Sequence, residues 1–578
     1  MKLYNQVKSG IVRMCGIMLT LSAMTFAASA PSAVAPVPSA NQLAWQKAEL
    51  LLFTHFGLQT FTGTNNANGN PVDTTLFNPV GFNPAEWVSA AQAGGFKGIV
   101  LICKHNEGYC NWQTATTRYS VVSAPWLAGK GDIVKGIAAA FHAAGLRFGV
   151  YLSVWDQHYK HWASAAEKAA YPTYALYYEA QLRECLSNYG TVDEVWFDGN
   201  GSDSMSLTTA DWQNIYSEVT TLQPGCVAFQ GFWPSDTHHI QLRWPGDEAG
   251  DAGDPDWAFF PVPGTGMVVS DTAHWQPQEA DVTLQGLWFY NNTPIETASQ
   301  IESIYLTSVG RAGVGLYNVA PNPTGLIDSA SIKVLGQFNG WVDSIYAMNL
   351  SPGATAQASS VLGGDTADFG PGQAIDTGYN TYWAPDSFAY NHPDTLTVTL
   401  PRLDTLRMFV LQEYIPLGQR VGAFNIQTYN GTKWTTSFSG GTTIGYKRII
   451  QLSSPVPASR ARLIITQSRP TPLINNFELI GNHIVTAAGV VHQETRIEAP
   501  SEVKITASGN GKIYCSGLKP GAVSLELFSL SGKKINLIGS GSEAGIAEFY
   551  LPSHVPGIYF LRARVNGIEA ARQTLFLP

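Results

Sequence analysis

Charge is scarce in this chain. Only 13% of its 578 residues are Asp, Glu, Lys or Arg, against 45% hydrophobic residues. That balance excludes an intrinsically disordered chain, which needs many charges and few apolar groups. Basic clusters are missing too. The formal net charge is −9, so nothing argues for a nucleic-acid partner. Beyond the first 30 residues no apolar run is long enough to cross a membrane, so no span is expected in the mature chain. Cysteines number six and show no zinc-type spacing. Cys15 falls in the N-terminal leader described below. The other five (Cys103, Cys110, Cys185, Cys226 and Cys515) leave at least one free thiol, with buried thiols expected even where Cys103 and Cys110 could pair. No internal repeat is visible.

The N-terminus reads as a secretory signal over 1–30. Lys2, Lys8 and Arg13 form a basic region, 14–27 is mostly apolar, and Ala28-Ser29-Ala30 supplies a small-residue cleavage site. The expectation is an exported protein: periplasmic, cell-surface or secreted. Residues 31–44 begin as a Pro/Ala/Ser stretch and read as a linker.

From about 45 to 348, strand-like and helix-like segments alternate. Strands are expected at 51–58, 98–104, 147–155, 194–198, 226–230 and 314–319. Helices are expected at 84–94, 132–144, 171–189, 210–222 and 300–308. Such alternation implies parallel β/α units, and the length suits one (β/α)8-type barrel with an irregular, loop-rich stretch from 231 to 279. From 354 the pattern changes to period two, with a hairpin turn at Asn430-Gly431, which reads as an antiparallel β-sandwich over 349–482. A third, small β domain runs from about 495 to 578. The fold class is thus multidomain, α/β followed by all-β.

The chemistry centres on Glu194-Val195-Trp196-Phe197-Asp198-Gly199. If Trp196 fills a barrel interior, period-two alternation sends Asp198 to the same side one layer higher. Barrel folds place catalytic groups at that strand tip. An Asp that merely starts a turn or caps a helix is the other reading. A second acidic stretch, Arg243-Trp244-Pro245-Gly246-Asp247-Glu248-Ala249-Gly250, follows the fifth strand and belongs to the same barrel face. Two carboxylates facing one sugar are what glycoside hydrolysis requires, although Gly, Asp and Glu also crowd ordinary surface turns.

The ordered set of motifs resembles the α-L-fucosidases, the retaining group numbered 29 among glycoside hydrolases, and more narrowly the branch acting on α-1,3/1,4-linked fucose. It comprises His55-Phe56-Gly57, Trp87, Gly98 through His105, Gly149 through Asp156, Asn188-Tyr189-Gly190, Glu194 through Gly199, Arg243 through Gly250, Glu279-Ala280-Asp281-Val282 and Trp288-Phe289-Tyr290. In the sandwich, Leu411 through Arg420 continues it. The resemblance implies that Asp198 is the nucleophile and Glu248 the acid/base. It implies that His55 and His105 meet sugar hydroxyls and that Trp155 and Trp288 form pocket walls. Asn106, Trp112, Asp156 and Arg243 are further substrate-binding candidates, Arg243 as a cation that could orient a carboxylate or contact the sugar. The resemblance implies a fucosylated oligosaccharide or glycoconjugate as partner, and no metal or cofactor. A histidine at a strand tip can also satisfy a backbone group, and a tryptophan can be barrel core.

Three departures from the family pattern stand out. Asn106 occupies the position of a second histidine. Residues 64–70 replace a Glu-Trp-Gly element. Tyr317-Asn318-Val319-Ala320-Pro321 replaces Leu-Asn-x-Pro-Pro. An additional loop at 232–241 carries His238-His239. These departures leave room for a related sugar such as an α-L-galactoside, or, from another class, for a glycan-binding protein without turnover. The sandwich resembles discoidin-like modules, with bracing of the barrel expected. The tail resembles C-terminal sorting domains of Gram-negative secreted proteins, in Ser529-Leu530-Ser531-Gly532-Lys533-Lys534 and Gly557-Ile558-Tyr559-Phe560-Leu561.

Overall fold

The computed structural model of the chain describes residues 28–577 except 66–70, 200–206, 231–238, 262–272, 390–391, 484–503, 508–511, 519–522, 530–533, 542–544, 551–556 and 566–567. Residues 1–27 of the signal expected over 1–30, His238, most of 64–70 and residues 530–533 of the tail motif therefore lie outside the described residues. Two compact units divide at Ile484/Val485.

In the first unit the short apolar runs become strands buried on both faces, as parallel strands covered by helices must be. They are β1 (Leu50–Thr54), β2 (Gly98–Lys104), β3 (Arg147–Leu152), β4 (Glu194–Phe197), β5 (Val227–Gln230) and β6 (Gln241–Leu242). Two short strands, β7 (Phe259–Phe260) and β8 (His274–Trp275), pair with each other, and β9 (Glu279–Thr283) and β10 (Val314–Asn318) complete the set. Eight strands form one parallel sheet in the order β6-β5-β4-β3-β2-β1-β10-β9. Its two edges meet at Arg243 and Gln278, where the Arg243 N–H donates to the Pro277 carbonyl and the Glu279 N–H donates to the Arg243 carbonyl, each at 3.0 Å.

The helices α2 (Pro84–Ala93), α3 (Ile133–Ala143), α5 (Tyr174–Asn188), α6 (Thr209–Leu222), α7 (Ala298–Thr307) and α8 (Ser329–Ala347) accompany the strands, with the short α4 (Ala165–Ala170) before α5. Their starts are where side-chain caps occur. Asn83, Asp132, Thr173, Thr208 and Thr297 each accept from a first-turn N–H. The 19-residue α8 and the strands β6 and β9 were not expected from sequence.

Residues 31–44 are not a free linker. The Val34 N–H donates to the Leu417 carbonyl, and the Ser32 and Ala35 carbonyls accept from Arg420 and Arg469. The helix α1 (Ala40–Gln46) then packs against the barrel, its Trp45 indole donating to Glu194 Oε2 at 2.8 Å.

The strands β11 (Thr355–Ala358), β12 (Asp394–Glu413), β13 (Val421–Tyr429), β14 (Trp434–Gly441), β15 (Arg448–Ser468) and β16 (Ile474–His483) are antiparallel. The first part of β12 pairs with β11 and the second with β16, with register shifts between. One ladder is thereby bent around its own apolar core. The module is tied to the barrel. Gln419 accepts from the Ala258 N–H (2.7 Å) and donates to the Asp256 carbonyl (2.9 Å), and Lys447 pairs with Glu49 at 2.6 Å.

Among the described residues the second unit contains seven antiparallel strands. A three-stranded sheet is formed by β17 (Lys504–Ala507), β18 (Lys512–Leu518) and β21 (Gly545–Tyr550). A four-stranded sheet is formed by β19 (Val523–Ser529), β20 (Lys534–Gly541), β22 (Gly557–Val565) and β23 (Ile568–Leu577).

Candidate active site

Alternation along β4 places Trp196 inside the barrel, stacked on Phe229 at 3.8 Å between ring centroids. Asp198 follows one layer up. Gly199, at φ +76°, turns the chain off the strand tip and donates its N–H to Asp198 Oδ1 at 2.7 Å. The Tyr151 hydroxyl, from β3, donates to Asp198 Oδ2 at 2.5 Å. Both carboxylate oxygens are therefore held by donors from the barrel, while the Asp198 carbonyl accepts from the Val154 N–H.

Strand β2 brings the second histidine to the same place by a slip in register. Simple alternation from Ile102 would turn Lys104 inward. The shift between Ile102 and Lys104 against β3 instead sends Lys104 outward, to Asp156 Oδ2 and Gln181 Oε1, each at 2.8 Å. His105 then faces the cavity, with its Nδ1 3.6 Å from Glu107.

His55, beyond the end of β1, has its tautomer set by Asn318. The Asn318 amide nitrogen donates to the Trp288 carbonyl at 2.8 Å, so its oxygen faces His55, 2.9 Å from Nδ1. The Nδ1 therefore carries the hydrogen and Nε2 is left to accept. Burial, then the charge of His105, holds the His55 pKa well below its ordinary value, despite the Asn318 contact. The ring is neutral at neutral pH.

Opposite these groups is the connection after β6. The Gly250 N–H donates to the Asp281 carbonyl and the Gly250 carbonyl accepts from Thr307, which pins the loop to β9 and α7. Gly250, at φ +70°, leaves room that a Cβ would take from Ile304, at 2.6 Å. The loop presents Trp244 and Glu248. The Trp288 indole donates to Glu248 Oε2 at 3.1 Å, and the Trp244 indole donates to Asp281 Oδ1 at 2.9 Å. Asn65 accepts from the Trp288 and Phe289 N–H groups and so steadies that wall.

These side chains enclose a cavity of about 160 Å³ lined by Phe53, His55, His105, Tyr151, Trp196, Asp198, Trp244, Glu248, Asp281 and Trp288. Engineered cavities near 150 Å³ hold a single six-membered ring, so one sugar ring is the scale of occupant it fits. Among the described residues the lining combines aromatic faces, two imidazoles and three carboxyls, with no lysine or arginine. Glu248 is exposed rather than half-buried. The carboxyl with a raised pKa is Asp281, pushed up to about 8 by burial and then by the charges of Glu248 and Asp198.

Of the residues singled out from sequence, Asp198, Glu248, His55, His105 and Trp288 share this cavity. The others do not line it. Trp112 is fully buried in the surrounding core, donating to Glu184 at 2.7 Å. Asp156 is the buried partner of Lys104. Arg243 closes the barrel and donates to the Trp257 carbonyl (2.8 Å) and Asp256 (3.3 Å). Asn106 is buried away from the cavity lining, its carbonyl accepting from the Gln157 N–H. Trp155 is half-buried and also outside the lining. Tyr151, Trp244 and Asp281 stand in the singled-out motifs but went unselected, because only the packing of neighbouring strands reveals which way they face. Asn318 was noted only as part of a departure. The described cysteines, Cys103, Cys110, Cys185 and Cys226, are buried free thiols.

Comparison with known proteins places this site in context. The α-L-fucosidase family matches residues 54–345, and the F5/8 type C domain family matches 355–479. The chain is 33% identical to α-L-fucosidase 1 of Arabidopsis thaliana over 464 residues, covering 78% of this chain and 88% of the relative. A Bacteroides thetaiotaomicron structure, that of a candidate α-L-fucosidase, is similar with a TM-score of 0.71 at 32% identity. The match covers 79% of this chain and 100% of that one. A Ruminococcus gnavus family 29 fucosidase in complex with fucose is similar with a TM-score of 0.68 at 26% identity, over 79% of this chain and 97% of that one.

Proposed function

The chain belongs to the α-L-fucosidase family of glycoside hydrolases, group 29, and on that premise we propose that it releases terminal α-L-fucose from fucosylated glycans through a covalent glycosyl-enzyme. Asp198 attacks the anomeric carbon as the bond to the leaving oxygen breaks, and Glu248 gives its proton to that oxygen. Glu248 then takes a proton from water, the water attacks the same carbon, and Asp198 departs, giving net retention. The observation that carries this reading is the shared cavity: Asp198, held through both oxygens, faces it together with Glu248. Neutral His55 offers Nε2 to a sugar hydroxyl. The faces of Trp288, Trp244 and Phe53 offer an apolar wall to the methyl group of a deoxysugar.

The test uses two variants and an aryl α-L-fucoside. Asp198→Gly should abolish turnover and regain part of it with azide, which attacks from the vacated face. Glu248→Ala should slow substrates with poor leaving groups far more than activated aryl substrates, since an activated leaving group needs no proton in the first step. Wild-type turnover in Asp198→Gly would remove the nucleophile assignment, and equal losses on both substrate types would remove Glu248 as the acid. The α-1,3/1,4 branch belongs to the same proposal, and hydrolysis of α-1,3/1,4-linked fucosyl oligosaccharides checks it. Export is inferred from the basic and apolar N-terminal segment. Terminal sequencing of the mature protein should read from Pro31.

A further inference from the structure

One carboxyl in the cavity has no part in the two-carboxylate chemistry. Asp281 stands two residues after Glu279 on β9, and alternation gives both the inward face. Glu279 lies one layer down, accepting the Trp196 indole N–H at 2.8 Å. Asp281 reaches the cavity itself at 2% exposure. One of its oxygens is committed to the Trp244 indole. The titratable groups facing it across the cavity are Asp198 from the tip of β4, Glu248 from the loop after β6, His55 and His105 from the ends of the first two strands, and Tyr151 from β3, whose hydroxyl burial and the charge of Asp198 keep protonated.

Ionising a third carboxyl here is costly. Burial and the charges of Glu248 and Asp198 keep its proton on up to about pH 8, while the hydrogen bonds from the Trp244 indole and from its own backbone N–H act in the opposite direction. At neutral pH the side chain is therefore a carboxylic acid, which brings an O–H donor that a carboxylate lacks. A neutral acid is a poor nucleophile. What it does well is hydrogen-bond a hydroxyl in a dry site.

We propose that Asp281 is a sugar-binding, specificity-determining residue of this pocket, donating its carboxyl O–H to a ring hydroxyl of the bound fucose while Trp244 holds its other oxygen. The proposal rests on the fucosidase reading. It makes recognition of the sugar require a proton on the enzyme that takes no part in bond cleavage. The contact is present below the Asp281 pKa and lost as pH rises through it.

The measurement is inhibition by L-fucose between pH 6 and 9.5, in the wild type, Asp281→Asn and Asp281→Ala. Asparagine keeps an oxygen for Trp244 and supplies an N–H donor that does not titrate. Wild-type affinity should fall by about tenfold or more across this range, as each pH unit above the pKa removes about tenfold of the protonated form. Asp281→Asn should bind fucose at pH 6 within a few-fold of the wild type and show no such fall. Asp281→Ala should bind weakly at pH 6. The proposal is overturned if the wild type shows no fall, if Asp281→Asn shows the same fall, if Asp281→Asn is already weak at pH 6, or if Asp281→Ala binds like the wild type. Should the alanine variant not fold, the wild-type and asparagine comparison decides alone. Wild-type hydrolysis of an aryl α-L-fucoside at pH 6 separates the two failures: without it the fucosidase reading falls, and with it only the role of Asp281 is at stake.

Discussion

Asn318 joins three walls of the site with one amide, its nitrogen also donating to the Thr283 hydroxyl. Its oxygen faces His55 Nδ1, the same oxygen accepts the His55 backbone N–H, and its nitrogen holds the Trp288 carbonyl. Asn318→Ala should leave His55 free to take the other tautomer and loosen Trp288 against Glu248. Losing buried contacts of this kind costs about 1–3 kcal/mol, which is roughly a five- to 150-fold fall in kcat/KM. Steady-state kinetics on an aryl fucoside checks it, and a fall shared by Asn318→Asp would show that the neutral carboxamide is what matters. At this scale the sequence was legible where a residue's place at the cavity follows from its own strand. Asp198 follows β4 in phase with Trp196, and His55 follows β1. It was illegible where the role depends on a partner from another strand, as with Tyr151, which becomes a site residue only by meeting Asp198. Asp156 and Arg243 stand in the same motifs as cavity-lining residues, and Trp112 was singled out beside them, yet they hold Lys104, the barrel seam and the core.

The elements show the same division. Apolar runs such as Gly98–Lys104 could be placed to the residue, but β9 could not, because its inward positions carry Glu279 and Asp281 and so invert the hydrophobic pattern. A two-residue strand such as β6 has no period to detect. The slip in β2 that exchanges Lys104 for His105 is likewise a property of pairing with β3 rather than of either segment. The distinctive sandwich stretch from Leu411 to Arg420 proves to be a joint. Gln419 satisfies one N–H and one carbonyl of the barrel loop at 256–258, and Glu413 accepts three backbone N–H groups from Arg420, Val421 and Gly445. Gln419→Ala leaves both barrel groups buried without that partner, at about 1–3 kcal/mol for an unsatisfied group. The expected outcome is a lower Tm with KM for the aryl fucoside unchanged. A changed KM at constant Tm would mean that the sandwich shapes the site instead of bracing it.

For the whole molecule, the division at Ile484 predicts that a chain ending there keeps the kcat/KM of the full chain. The proposal that the tail is a sorting domain, made from its resemblance, predicts altered delivery of that chain to the cell exterior. Kinetics of the truncated protein and fractionation of the producing cells check the two parts, and loss of activity would make the tail structural. A second property arises from several buried acids together. Burial raises Glu194, Asp256 and Glu413 to about 7 and Asp281 to about 8, and pushes Glu279 up as well, helped by the charge of Glu194 beside it. Glu194 and Glu279 face each other inside the barrel, with an indole donor on each from Trp45 and Trp196. Each folded pKa lies above the unfolded one. Between the two values the native state holds more protons than the unfolded chain, so stability falls as pH rises. His55 opposes this only on the acid side, because its lowered pKa costs stability as pH drops below the ordinary histidine value of about 6.5. Glu167, held down to about 2 by its hydrogen bonds despite burial, acts only at lower pH still. The window from about pH 6.5 to 8.5 is left to the buried acids. Calorimetry of the chain ending at Ile484 should give a Tm several degrees higher at pH 6.5 than at pH 8.5. Glu279→Gln, which fixes the proton-bearing form in place, should flatten that slope. A Tm that is level or rises with pH in the unsubstituted chain would show that these carboxyls are ionised in the folded barrel, and with them Asp281.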